Sequence, residues 1–174
     1  MKIVLVEQVD LGLAKSIKNF FKLRADNEII TCMDLDNDFA QNSDIILFLN
    51  CKCPKCVAQN CKAKLLETHP SLLPAFDSCD AVKDTFLSGV KVGGITFRYA
   101  QGNIIAQFPV LIDYNTEYEE YEANIRKTEK MLYPLVLKSV LDNKPFSFSQ
   151  IMGDAHSNSK SECSGACGSC GGCH

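Results

Sequence analysis

Residues 69–76 read HPSLLPAF. Pro70 and Pro74 fix φ, remove two backbone donors and push the residues before them out of helical geometry. The stretch must therefore follow an extended or turned path. Lys64 to Leu66 reads as a strand leading into it. Asp77 or Ser78 can cap a helix over Ser78 to Leu87 on the far side, and Gly89 ends that helix.

Upstream, Ile3 to Val6 is a short β-branched apolar run, the pattern of a buried parallel strand. Asp10 is placed to cap the helix that follows, where Leu13, Ile17, Phe20 and Phe21 recur at helical spacing. Glu28 to Met33 reads as a second strand and Asp44 to Leu49 as a third. Strand, helix, strand at this spacing predicts a parallel βαβ start. Pro54 opens a short helix over Lys55 to Lys62. Downstream, Val90 to Ala100 and Asn103 to Leu111 read as a hairpin around Gln101-Gly102. Glu117 to Leu141 is the longest helix, with Tyr121, Ile125, Leu132, Leu135, Val136 and Val140 as its apolar stripe and Pro134 as an expected kink. The fold class is thus α/β, a mostly parallel sheet followed by a hairpin and a long helix. Residues 1–148 form the domain. Residues 149–174 turn to Ser, Gly, Asn and Cys and read as a flexible tail.

The chain has 174 residues, of which 46% are hydrophobic and 22% charged, and a formal charge of −3. That composition suits a globular domain. No basic block argues for nucleic acid or an anionic membrane surface. No apolar run approaches the roughly 20 residues of a bilayer span. The N-terminus lacks the apolar core of a signal peptide, so a cytoplasmic location is expected.

HPSLLPAF, then a helix, then GVKVGGITFRYA, GNIIAQFPV and a long helix with MLYPLVL together resemble the formyltransferase family. The resemblance is strong over residues 64 to 142 and weak before them. It implies a shortened Rossmann-like sheet with the active site at the strand ends. It implies formyl transfer from N10-formyltetrahydrofolate to an amine. The family's catalytic His matches His69. Its Asn, in N-x-H-P-S, falls on Glu67, and its Asp, in D-x-G-x-I-I, falls on Ala100. An ionised Glu67 would repel the oxyanion that Asn stabilises, and losing one oxyanion donor typically costs roughly 100–1000-fold in rate. A raised pKa would make Glu67 a neutral donor instead. The family's phosphate-holding loop after the first strand is Glu7-Gln8-Val9-Asp10 here, where two acidic residues oppose phosphate. Glu129 matches a family glutamate near the substrate amine. The loss of a helix-strand unit before HPSLLP would leave a sheet edge open, which makes a homodimer plausible.

Ten cysteines in a reducing compartment point to metal or redox use. Cys51, Cys53, Cys56 and Cys61 follow the third strand, in a segment that the resemblance puts beside His69. Cys163, Cys167, Cys170 and Cys173 fill the glycine-rich tail and His174 ends it. Thiolates suit Zn or an Fe–S cluster. Lys52 and Lys55 are expected to lower the nearby thiol pKa values. Three readings follow. The first is a family member that has lost formyl transfer and holds Fe–S or Zn through both cysteine groups, with a protein partner for metal or electron transfer. The second is an active formyltransferase using His69 and Glu67. The third is a thiol redox protein.

Overall fold

The computed structural model describes residues 1–22, 27–35, 40–100 and 102–148. The elements run β1 (Lys2–Val6), α1 (Leu13–Phe21), β2 (Glu28–Cys32), β3 (Ile45–Phe48), α2 (Lys55–Asn60), β4 (Lys64–His69), α3 (Ala81–Leu87), β5 (Val92–Tyr99), β6 (Ile104–Leu111) and α4 (Tyr118–Leu141). One six-stranded sheet has the order β2-β1-β3-β4-β5-β6. Strands β2, β1, β3 and β4 are parallel. Strands β5 and β6 return antiparallel as the expected hairpin. This is the mostly parallel α/β sheet that the apolar pattern predicts, and the Rossmann-like arrangement that the resemblance implies.

Alternation along β1 splits the core in two. Ile3 and Leu5 join Leu13, Ile17, Phe97, Tyr133 and Leu137 in the large cluster beneath α1 and α4. Val4, Val6, Ile46, Phe48 and Leu65 form a smaller cluster on the other face. That second face is covered by the segment holding Cys51, Cys53, Val57 and Cys61. Helix α4 runs unbroken across Pro134, and Tyr121, Ile125, Leu132, Val136 and Val140 are buried as expected. Leu135 is only partly buried. Gly93 in β5 is required by packing, because a Cβ there would lie 1.9 Å from the Tyr121 hydroxyl oxygen.

Three local expectations need correction. Phe20 is 41% exposed, and Ala14 takes its place in the core. Leu13, Ala14, Ile17 and Phe21 form the buried face of the helix, and Phe20 lies at its edge. Helix α3 begins at Ala81, later than Ser78, and neither Asp77 nor Ser78 caps it. Strand β4 continues to His69, three residues past the expected end. No helix among the described residues is long and apolar enough to cross a membrane. The tail lies outside the described residues.

Candidate functional site

Parallel strands place their C-terminal ends on one edge of the sheet. Glu7 follows β1, Asn50 and Cys51 follow β3, and His69 closes β4. In open α/β sheets this edge is where ligands bind, at the point where the connections diverge to opposite sides. Here that point lies between β1 and β3, because β1 leads to β2 on one side and β3 to β4 on the other.

Glu67 and His69 alternate with Thr68 along β4. Glu67 is buried, at 5% exposure. Its Oε1 accepts from the Cys53 backbone N–H at 2.7 Å. Its Oε2 accepts from Arg98 Nε at 3.0 Å and Nη2 at 2.8 Å. The antiparallel register sets Arg98 directly opposite Glu67. Glu67 is therefore an acceptor on both oxygens, and the expectation that it acts as a neutral donor does not match this geometry. Arg98, which the sequence reading missed, is the donor-rich partner of Glu67, two residues before His69 on β4. Its only sequence signal was an arginine in an otherwise apolar strand.

The imidazole of His69 is oriented by backbone. Its Nε2 lies 3.1 Å from the Phe76 carbonyl oxygen. That contact puts the N–H on Nε2 and leaves Nδ1 as the acceptor nitrogen. Phe76 itself has φ +53°, a left-handed conformation that a bulky residue holds only when its surroundings impose it. The rest of HPSLLPAF is pinned to the hairpin. Thr96 Oγ1 accepts from the Leu73 N–H at 3.1 Å and donates to the Ser71 carbonyl at 2.7 Å. Gln107 Nε2 donates to the Leu73 carbonyl at 2.8 Å. Asp77, next in the chain, pairs with Lys52 at 2.9 Å. Its carboxyl is held below its usual range by that Lys52 hydrogen bond first, with smaller contributions from His69 and Arg98.

Glu129, which the resemblance puts near the substrate amine, is held inside the protein. It is fully buried on α4. Its Oε1 accepts from Asn50 Nδ2 at 2.7 Å and from the Tyr133 hydroxyl at 3.0 Å. Its Oε2 accepts from Arg126 Nη1 at 2.9 Å. Burial, and secondarily Glu129, pushes the Tyr133 hydroxyl well above its ordinary pKa. Asn50 has φ +52° and its N–H donates to Thr68 Oγ1 at 2.8 Å. Glu129 therefore holds the turn that sends the chain into the cysteine loop.

Glu7 takes over the capping role expected of Asp10. Its Oε1 accepts from the N–H groups of Leu11 and Leu13 and its Oε2 from that of Ala14, while Asp10 binds only the Gly12 N–H.

The cysteines face separate backbone carbonyls. Cys51 Sγ lies 3.7 Å from the Val6 oxygen, Cys53 Sγ 3.6 Å from that of Pro54, and Cys61 Sγ 2.8 Å from that of Ala40. Among the described residues no group of three or more His, Cys, Asp or Glu is arranged to hold a metal ion. The Cys56 side chain and Cys163, Cys167, Cys170, Cys173 and His174 lie outside the described residues. Lys52 does not activate Cys51. Burial, then Glu67, pushes that thiol up to about 11, and the Lys52 ammonium is turned to Asp77.

Known proteins show the same arrangement of chain. The formyl transferase family pattern matches residues 42–137. Phosphoribosylglycinamide formyltransferase of Bacillus subtilis (strain 168) is 46% identical over 83 residues, which are 45% of this chain and 43% of that protein. The enzyme of the same name from Mycobacterium tuberculosis (strain CDC 1551 / Oshkosh) is 38% identical over 74 residues, 40% of this chain and 34% of that protein. The matched stretches span less than half the length of these relatives. The crystal structure of phosphoribosylglycinamide formyltransferase from Bacillus halodurans is similar with a TM-score of 0.70 at 21% identity, covering 84% of this chain and all of that one. At that identity the likeness shows the fold.

Proposed function

Because this chain belongs to the formyl transferase family, we propose that it moves a formyl group from a 10-formyl-folate donor to an amine, with His69 carrying the proton. The observation that supports this reading is the HPSLLP loop, pinned by Thr96 and Gln107, with His69 oriented at its start. The amine nitrogen attacks the formyl carbon and a tetrahedral oxyanion forms. His69 Nδ1 takes the proton from the attacking nitrogen and returns it to the donor nitrogen as the C–N bond to the donor breaks. The products are a formamide and the deformylated folate. Arg98 supplies the N–H groups for the oxyanion in place of the family's Asn. Glu67 holds Arg98 in position. The experiment is formyl transfer by the full chain with 10-formyl-folate and a panel of amines. His69→Asn is expected to lower the rate by roughly 100–10,000-fold. Absence of donor binding, or a His69→Asn variant as fast as wild type, overturns the assignment.

A second reading concerns the tail alone. Cys163, Cys167, Cys170, Cys173 and His174 lie within twelve residues, a density of soft ligands suited to Zn or an Fe–S cluster. Metal analysis and an absorption spectrum of anaerobically purified protein, with and without residues 160–174, decide it. Loss of stoichiometric metal on truncation supports a tail site, and no metal in either protein removes it.

A further inference from the structure

We infer that Glu7 excludes phosphate from the crevice between β1 and β3, so the amine acceptor carries no phosphate group there. The word acceptor rests on the formyl-transfer reading above, whereas the exclusion of phosphate does not.

A helix N-terminus at the divergence point of an open α/β sheet presents orphan N–H groups and positive dipole potential, the elements of an anion site. In this chain the N–H groups of Gly12, Leu13 and Ala14, three of the four that open α1, are already taken. Glu7 Oε1 accepts from the N–H groups of Leu13 at 2.9 Å and Leu11 at 3.3 Å. Glu7 Oε2 accepts from Ala14 at 3.2 Å. Asp10 Oδ1 accepts from Gly12 at 3.0 Å. Four consecutive N–H groups, from Leu11 to Ala14, thus meet two carboxylates of the same loop. Glu7 is 8% exposed, so its carboxylate is built into the site. Its own N–H donates to the Cys32 carbonyl at 3.0 Å, which ties the backbone of the loop to β2.

A phosphate entering this place would meet the Glu7 carboxylate where the N–H groups of Gly12, Leu13 and Ala14 are already bound. It would have to displace a covalently tethered competitor whose effective concentration is high. The matched relatives carry a phosphoribosyl substrate in their names. The chemistry of this crevice selects instead a primary amine whose distal part is uncharged or cationic where it passes Glu7 and Asp10. Glu7 is on this account a specificity-determining residue and takes no part in proton transfer.

The test is a titration with inorganic phosphate, followed by the backbone amide NMR signals of Leu11, Gly12, Leu13 and Ala14. Wild type is expected to leave these signals unmoved at concentrations that saturate a Glu7→Ala variant, a difference of at least about tenfold in affinity. Phosphate-dependent shifts of these amides in wild type overturn the inference. So does a folded Glu7→Ala variant that gains no phosphate binding. If Glu7→Ala does not fold, Glu7→Gln retains an acceptor oxygen without the charge and is expected to bind phosphate more tightly than wild type. Equal binding by the two overturns the role of the charge. A matched pair of amines with and without phosphate is then offered in the formyl-transfer assay, and only the unphosphorylated amine is expected to react. Transfer to neither amine, with phosphate exclusion intact, counts against the formyl-transfer reading and leaves the assignment of Glu7 standing.

Discussion

The loop from His69 to Asp77 and the loop from Asn50 to Cys61 meet at the Lys52–Asp77 pair, and they are built on opposite principles. The first is held by neutral hydrogen bonds to neighbouring strands, from Thr96 and Gln107 to its own backbone. The second is held by carboxylates that come from far along the chain. Glu129 holds Asn50, and Glu67 holds the Cys53 N–H. Neutral bonds within a sheet edge demand only the right strand register. A buried carboxylate demands a partner, and its loss leaves an uncompensated charge or donor. The HPSLLP loop is therefore expected to tolerate change in small steps, and the cysteine loop to fail abruptly.

The largest expected effect is that of Glu129→Ala. It strips Arg126, Tyr133 and Asn50 of their shared acceptor and is expected to cost about 3–5 kcal/mol of stability, read as a shift in the urea midpoint. A loss below about 1 kcal/mol would contradict the reading of this network as the anchor of the turn at Asn50. Next, Arg98→Leu leaves Glu67 buried without its counter-charge, with an expected loss of about 2–3 kcal/mol. Arg98→Lys keeps the charge without the paired N–H geometry and is expected to retain most stability while losing formyl transfer. That split separates the proposed contact with the oxyanion from a purely structural role. Thr96→Val then removes the hydroxyl that binds Leu73 and Ser71, at an expected cost of about 1–3 kcal/mol. Equal losses for Thr96→Val and Glu129→Ala would erase the contrast between the two loops.

The smallest effect concerns Cys51. With its thiol pushed up to about 11, the folded protein keeps a proton there that the unfolded chain releases near pH 9. Cys51 therefore takes nothing from stability below about pH 9 and reduces it as pH rises from about 9 to 11. Alkylation of Cys51 by iodoacetamide in the folded protein is expected to be slow at pH 8 and to climb through pH 10. Rapid labelling at pH 8 would mean that the thiol is not held as the structure places it, and would revive the redox reading of this loop.

Much of the fold was legible because apolar periodicity is a local property. The apolar run from Ile3 to Val6 marks a buried strand, and Ile125 and Leu132 along α4 report their face from spacing. His69 was legible through the unusual pattern of HPSLLP. The partners of the carboxylates were not. Asp10 looked like the cap of α1 because it precedes the helix. Glu7 won because the β1 turn aims its side chain back at three N–H groups. Glu67 looked like a substitute donor until the register of β4 and β5 set Arg98 across from it. Glu129 entered through its match to a family glutamate, and only the structure shows it buried against Asn50, Arg126 and Tyr133.

The amino-acid sequence by itself determined the α/β class, the order of strands and helices, the hairpin and the family. Each of these follows from side-chain spacing within a few turns or from a short motif. The tertiary structure alone decided which acid meets which donor. Arg98 lies 31 residues from Glu67 and Asn50 lies 79 residues from Glu129. The energy of such a pair depends on an approach within hydrogen-bond distance and on exclusion of water, and local sequence encodes neither.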